Sequence, residues 1–271
     1  MAGMRITKLH GLGNDFVLLD WRQAGVDAPS IELARKLCDR HRGVGADGVL
    51  TLLPHADGTR LVIHNPDGSR PEMCGNGARC AALWLATDGL QKATGAEVRV
   101  RLQTDAGVRD CTVAEGARLI GDVEIAMGVP EIAPHRTFVV EGAMREATPV
   151  SMGNPHRVFF VEDAPGPLLS LAARAGPQLC LAEDANIEFA RRTAPQQLEV
   201  AVWERGAGLT QACGTGACAV AAAAMARGVV EKSKPVAVDL PGGRLVLRLE
   251  PASGQLLMRG PAQFVFSGEW G

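Results

Sequence analysis

Two short segments of the chain pair a cysteine with closely spaced glycines: Cys74-Gly75-Asn76-Gly77-Ala78 and Cys213-Gly214-Thr215-Gly216-Ala217. Each leads into a run of small residues that reads as a helix. A cysteine at a helix start lies among backbone N–H groups that have no partner inside the helix. Those groups and the helix dipole lower the thiol pKa and favour thiolate. The glycines let a ligand carboxylate approach the same N–H groups. The two segments are thus candidates for a pair of acid–base thiols with anion-binding backbone beside them. The plainer alternative is two buried structural cysteines, the usual fate of this residue. Cys80 and Cys218, a turn or more into the same helices, are read that way.

The two segments are part of a longer internal echo. Asn14 lies 60 residues before Cys74, and Asn154 lies 59 before Cys213. Asp47 and Asn186 each precede their cysteine by 27 residues, and Asn65 and Glu204 each by 9. Matched offsets of short polar residues predict two structurally similar halves facing one another. Asn65, Asn76, Asn154 and Asn186 also suit simple turns, and His156 suits a turn in Gly153-Asn154-Pro155-His156. Glu204-Arg205 suits a solvated surface pair, although an arginine among glycines also suits bidentate recognition of a carboxylate.

Other chemistries fit poorly. The spacings Cys74-x5-Cys80 and Cys213-x4-Cys218 are not those of zinc ribbons, and no histidine nearby completes a set. No metal and no cofactor are expected. Gly43-Val44-Gly45-Ala46-Asp47-Gly48 matches the dinucleotide pattern, but a helix precedes it and an apolar strand follows. The fingerprint needs the reverse order.

The elements that must position these residues are mostly strands. Helices are expected at four places. One starts at an N-cap Ser30, with Ile31, Ala34, Leu37 and Cys38 on one face and Gly43 as a stop. The others run from about Gly77 to Thr87, from Leu168 to Ala175 and from Ala217 to Arg227. Strands outnumber them: 97–102 and 245–250 alternate at period two, with turns at Gly242-Gly243 and 251–254. Strands that mostly neighbour one another point to an α+β fold of antiparallel sheet with inserted helices, not to repeated βαβ units.

Composition is that of an ordinary globular protein. The chain has 271 residues, 46% hydrophobic and 21% charged, enough to bury a large core without disulfides. A net charge of −2, 4% aromatics and no tyrosine argue against nucleic acid. The stretch Met1-Ala2-Gly3-Met4-Arg5 is followed by no apolar h-region, so no signal peptide is expected. The longest small apolar run, 217–226, is too short for a membrane span. Seven cysteines in a chain of this length read as cytosolic thiols.

With these motifs in view the chain closely resembles the diaminopimelate epimerase family along essentially its whole length. The matching segments are 10–16 (HGLGNDF), 65–69 (NPDGS), 73–80 (MCGNGARC), 151–156 (SMGNPH), 185–187 (ANI), 204–208 (ERGAG) and 211–218 (QACGTGAC). The resemblance implies two pseudo-symmetric halves, each a curled antiparallel sheet around a central helix, with the active site in the cleft between them. The halves would be 1–121 plus 262–271, carrying Cys74, and 122–261, carrying Cys213; the final strand returns to the first half. It implies Cys74 and Cys213 as the acid–base pair. Asn14, Asn65, Asn154, Asn186, Glu204, Arg205 and the backbone of Gly75, Asn76, Gly214 and Thr215 would hold diaminopimelate, while His156 and Glu204 would tune the thiols. It further implies a cofactor-independent homodimer serving lysine and peptidoglycan precursor synthesis in the cytoplasm.

Two positions depart from the family. Many relatives carry glutamine at Gly48, a substrate-contacting position, so here that contact is lost or made by backbone. Arg157 stands where relatives often have a small residue. A proline racemase-like enzyme is the rival within isomerases, but its first motif typically has histidine where this chain has Asn76. A different class of reading is a non-catalytic amino-acid-binding or thiol-redox module.

Overall fold

The computed structural model describes residues 3–162 and 166–271; Met1 and Ala2 of the N-terminal stretch lie outside them. The chain divides into two compact units, Met1–Ile125 with Gly260–Gly271, and Ala126–Arg259.

The first unit contains β1 (Met4–Gly11), β2 (Asn14–Asp20), α1 (Ile31–Cys38), β3 (Gly48–His55), β4 (Gly58–His64), α2 (Gly75–Ala86), β5 (Val98–Thr104) and β6 (Gly107–Val113). Strand β7 (Ile120–Gly128) follows, and its Val123–Ile125 pair with β6. Antiparallel ladders join β1 to β2, β3 to β4 and β5 to β6. Helix α2 packs against β1 to β6. Residues 75–83 are buried all round it, as a helix enclosed by sheet must be. Small residues on α2 let the strands approach it closely. Helix α1 covers a separate layer of Ile6, Val17, Leu19, Ala34, Leu37 and Val49. Its Ser30 hydroxyl accepts a hydrogen bond from the Leu33 N–H, the cap read from the sequence.

The second unit repeats this order. It contains β8 (Glu131–Ile132), β9 (Arg136–Val140), β10 (Ala143–Ser151), β11 (Pro155–Phe160), α3 (Leu168–Glu183), β12 (Asn186–Ala194), β13 (Gln197–Glu204), β14 (Gly208–Leu209), α4 (Gly214–Ala226), β15 (Val236–Leu240) and β16 (Gly243–Leu249). Helix α4 is the enclosed one, packed against β10–β13, β15 and β16, with residues 216–225 buried. Helix α3 lies over Phe159, Ile187, Phe189 and Ala201. Phe159 stacks on Phe189 at 5.4 Å between ring centres and meets Phe138 edge-on at 5.5 Å. The last strand, β17 (Leu256–Trp270), pairs with β16 through 256–259, and its residues 263–270 pair with β1. The return of the C-terminal strand to the first half is therefore observed.

Two features differ from the sequence reading. Each unit holds two parallel strand pairs among its described residues, and each pair is joined across a helix: β2–β3 over α1, β4–β5 over α2, β11–β12 over α3 and β13–β15 over α4. The antiparallel ladders were legible from neighbouring strand signals, whereas these crossovers pair strands distant in sequence. Helix α3 also runs eight residues beyond the expected Ala175, through Gly176-Pro177. Gly176 lies so close to Trp203 that a Cβ there would stand 2.6 Å from the tryptophan Cβ. Packing on β13 overrides the local stop.

Candidate active site

Both Cys-Gly-x-Gly segments form the same local structure. Cys74 is the N-cap of α2 and Cys213 the N-cap of α4, both in extended backbone conformation. Their carbonyls accept the first helical bonds, from Ala78 N–H at 2.8 Å and Ala217 N–H at 3.0 Å. Gly13 and Gly153, at matched positions, both have left-handed φ, of 82° and 93°. Each turns the chain so that Asn14 and Asn154 face the neighbouring cysteine segment, a conformation that costs other residues more than glycine.

In the first unit a polar chain surrounds Cys74, which is half-buried. The Cys74 thiol and Asn76 Nδ2 both donate to Asn14 Oδ1, at 3.9 Å and 3.0 Å. Asn14 Nδ2 donates to Asp47 Oδ2 at 3.0 Å, and the fully buried Arg79 donates to Asn76 Oδ1 at 2.9 Å. Asp47 is tied to Arg40 at 2.6 Å. Arg40 also holds Asp15, which pairs with Lys8 at 2.6 Å. Burial alone would raise the Asp15 carboxyl, but hydrogen bonds from Arg40 and Lys8 outweigh it and hold it well below the usual range. The structure thus brings together Asn14, Cys74, Asn76 and Asp47. Asn65 is tied into its own turn, donating to Ser69 Oγ at 3.0 Å. Gly48 opens β3, where a Cβ would stand 2.8 Å from the His64 carbonyl oxygen. Glycine there allows β4 to approach.

In the second unit Cys213 is 4% exposed. Its sulfur accepts from the Gly216 N–H at 3.3 Å and lies 3.5 Å from Thr215 Oγ1. Asn154 Nδ2 donates to Thr215 Oγ1 at 3.4 Å, and Asn154 Oδ1 is 3.0 Å from His156 Nε2. Glu204, at the end of β13, accepts from Thr210. Asn186 Oδ1 accepts from the Arg205 N–H at 2.8 Å. The Arg205 side chain is exposed and pairs with Asp184 at 3.0 Å. Arg157, the departure from family pattern, is turned to Glu183 at 2.8 Å.

One expectation is corrected. The Cys213 thiol is pushed well above its ordinary value, not lowered. Burial is the largest cause, and the charges of Glu204 and Glu188 add to it. The Thr215 hydroxyl and the Gly216 N–H act in the opposite direction but are outweighed. The helix-start argument counted the amides and missed the carboxylates. Cys80 and Cys218 are fully buried, as expected, and burial pushes the Cys80 thiol up to about 12. All seven cysteines are thiols.

Two residues escaped the sequence reading. Glu188 is buried completely, and its Oε1 lies 2.6 Å from His156 Nδ1. Arg79 orders Asn76 from inside α2. A charged residue inside an otherwise apolar strand or helix start was the available signal for both.

Comparison with known proteins agrees with this architecture. A family model described as diaminopimelate epimerase matches residues 6–133 and 148–265. The chain is 39% identical to diaminopimelate epimerase 1 of Nostoc sp., over 98% of this chain and 99% of the relative. It is 40% identical to diaminopimelate epimerase of Moorella thermoacetica, over 98% and 99%, and 41% identical to that of Xanthomonas axonopodis pv. citri, over 98% and 96%. Among solved structures, a probable proline racemase from Agrobacterium radiobacter superposes with a TM-score of 0.76 at 17% identity, covering 99% of this chain and 93% of that one. A predicted epimerase from Pseudomonas aeruginosa gives 0.72 at 18%, covering 98% of each. These two share the fold, the two-unit α+β architecture. The sequence matches carry the family: this chain belongs to the diaminopimelate epimerases, a family of isomerases.

Proposed function

We propose that the chain interconverts LL- and meso-2,6-diaminopimelate without a cofactor, Cys74 and Cys213 acting as thiolate and thiol on opposite faces of one Cα. The observation that carries the reading is the repeated N-cap cysteine, flanked in each unit by an asparagine from a left-handed glycine turn. Epimerisation removes a proton from one face of a carbon and returns one to the other. Two acid–base groups are the simplest device for that, and each turnover exchanges their protonation states. The α-proton beside an unactivated carboxylate is a very weak acid. With no cofactor to delocalise the carbanion, the site itself must stabilise it. The N–H groups at the starts of α2 and α4, aimed at the α-carboxylate, supply positive potential where charge develops. A dry site would strengthen that effect.

The remaining roles belong to the same proposal. Asn14, Asn65, Asn154, Asn186, Glu204 and Arg205 hold the two amino-acid ends, and His156 and Glu204 tune the thiols. The enzyme works as a cytoplasmic homodimer and supplies lysine and peptidoglycan precursors. Leu119, Ile120, Val265 and Phe266 are exposed, and the Phe264 N–H donates to the Leu119 carbonyl. They offer an apolar patch in the first unit for association.

Replacement of either cysteine tests the reading. Removing a group that transfers a proton in the transition state costs about 10² to 10⁴ in rate, and more when nothing substitutes. Cys74→Ala and Cys213→Ala should each abolish conversion of LL- to meso-diaminopimelate. The serine variants should epimerise poorly but still eliminate HX from 3-halo analogues, because elimination needs one base. The two variants should then prefer opposite configurations at Cα, Cys213 serving as base for the LL isomer. Wild-type conversion by either alanine variant would refute the mechanism.

A further inference from the structure

We infer that Asp47 is a positioning residue for Asn14: its carboxylate ties down the Asn14 amide and the backbone that carries it, and so sets where that amide stands beside Cys74. The inference rests on the proposed role of Asn14 at the substrate and extends it one residue outward. The matched offset marks Asp47, 27 residues before Cys74, and no step of the proposed reaction uses it. Strands β2 and β3 run parallel with Phe16 opposite Gly48, which sets Asp15 beside Asp47. Asp47 Oδ2 accepts from Asn14 Nδ2 at 3.0 Å and from the Asp15 N–H at 3.1 Å. The Asp47 N–H in turn donates to the Asp15 carbonyl at 2.8 Å. Asp47 Oδ1 accepts from Arg40 Nη2 at 2.6 Å, and the same nitrogen donates to Asp15 Oδ1 at 2.7 Å. Among the described residues, every partner of the Asp47 side chain is thus a donor, which suits a group that only accepts.

The turn that presents Asn14 needs such a tie. Gly11 pairs with Asn14, so Leu12 and Gly13 alone join β1 to β2. Both are left-handed, with φ of 56° and 82°. Leucine rarely takes that conformation, and a turn of this kind keeps its shape through what it touches. Burial of Leu12 is one such contact, and the hold of Asp47 on Asn14 and Asp15 is the next. The Asn14 amide itself is bonded at both ends. Its Oδ1 accepts from the Cys74 thiol and from Asn76 Nδ2. Arg79 donates to Asn76 Oδ1, which leaves Asn76 Nδ2 for Asn14. None of these contacts depends on Asp47, so without it the amide still turns its oxygen to the cysteine segment. What is lost is the anchor on Nδ2 and the partner of the Asp15 N–H. Asn76 sets the direction of the amide, and Asp47 sets its place.

The clamp belongs to the first unit. In the second, the parallel ladder sets His156 opposite Asn186, whereas in the first it sets Phe16 opposite Gly48. By the ladder, the residue that stands where Asp47 does is Ala185, which has no polar side chain to give. Asn154 is met instead by Thr215 and His156, and Asn186 gives its oxygen to the Arg205 N–H. Replacing Asp47 therefore acts on the Cys74 side, through Asn14.

A double-mutant cycle in the full-length enzyme tests whether Asp47 acts through Asn14. The kcat/KM for conversion of LL-diaminopimelate is measured for Asp47→Ala, Asn14→Ala and the double variant, with circular dichroism to show that each is folded. D47A should lose about tenfold, the scale of one hydrogen bond to a charged group, and N14A at least as much. Once Asn14 is alanine, adding D47A should cost less than about twofold, because residues that act through one contact are not additive. Asp47→Asn should stay within about threefold of wild type, since its amide oxygen can serve both Asn14 and the Asp15 N–H, and the exposed Arg40 pair contributes little. The whole D47A loss recurring in the N14A background would mean a general structural role and overturn the inference. So would a fully active D47A beside an impaired N14A. Should D47A fail to fold, D47N decides: a loss as large as that of N14A overturns the inference. A fully active N14A would overturn the proposed role of Asn14 and this inference with it. Activity in Cys74→Ala would instead refute the two-thiol mechanism and leave the cycle standing.

Discussion

Cys74 and Cys213 share a backbone position but not an environment. Cys74 donates to an asparagine oxygen within a chain of amides ending at Arg79 and Asp47. Cys213 is enclosed, with two carboxylates acting on it. The sign of their effect is definite: negative charge beside a thiol disfavours its thiolate, so both raise its pKa. Neutralising Glu204 should therefore bring Cys213 down. Glu204→Gln is expected to speed alkylation of Cys213 by iodoacetamide at neutral pH by roughly threefold to tenfold, since one pKa unit is a tenfold change in thiolate. Alkylation of Cys74, followed by peptide mass spectrometry, should serve as the unchanged reference. A slower Cys213 reaction would contradict this electrostatic picture. A substrate ammonium group set against Glu204 would act in the same direction as the substitution, which ties deprotonation of Cys213 to substrate binding. At this scale the sequence was partly legible. The cysteines and asparagines stood out because their offsets repeat. Glu188 and Arg79 did not, because their roles depend on burial, and burial belongs to the packed sheet.

Among elements, the four helices were legible where local chemistry decides. Ser30 caps α1, and the small residues of α2 and α4 follow the cysteine turns. Helix α3 was misjudged in length, since Gly176-Pro177 reads as a stop in isolation while contact with Trp203 decides otherwise. That contact predicts a measurable cost. Gly176→Ala would gain helix propensity worth about 0.5–1 kcal/mol. It would also force a methyl group to within 2.6 Å of the Trp203 Cβ. Overpacking of this kind costs about 1–3 kcal/mol, so the variant should be destabilised, with a lower urea midpoint and an unchanged m-value. Trp203 precedes Glu204, so kcat should fall as well. A midpoint at or above wild type would show that α3 yields without cost. The parallel pairs across each helix were illegible for a different reason: their partners are distant in sequence, and each strand alone reads the same whichever neighbour it takes.

For the molecule as a whole, the repeat of one α+β unit is the main economy of design. Each unit encloses its own cysteine-capped helix in a sheet. The duplication was visible in the sequence as matched offsets. The proposed pairing of the two thiols at one carbon has a redox consequence. Oxidation should join Cys74 to Cys213, abolish activity, lower the mass by two hydrogen atoms, and be reversed by dithiothreitol. Oxidised protein with both thiols blocked and full activity would refute the catalytic assignment.

The most direct test of the two-thiol account is the fate of the α-hydrogen when LL-diaminopimelate is converted in D₂O, sampled at low conversion. Two bases on opposite faces remove hydrogen with one group and deliver solvent deuterium with the other. The meso product should carry deuterium at the inverted carbon, while the remaining LL substrate stays unlabelled. Deuterium appearing in recovered LL substrate as fast as product forms, or product that retains the original hydrogen, would mean that one group serves both faces, and would contradict the account.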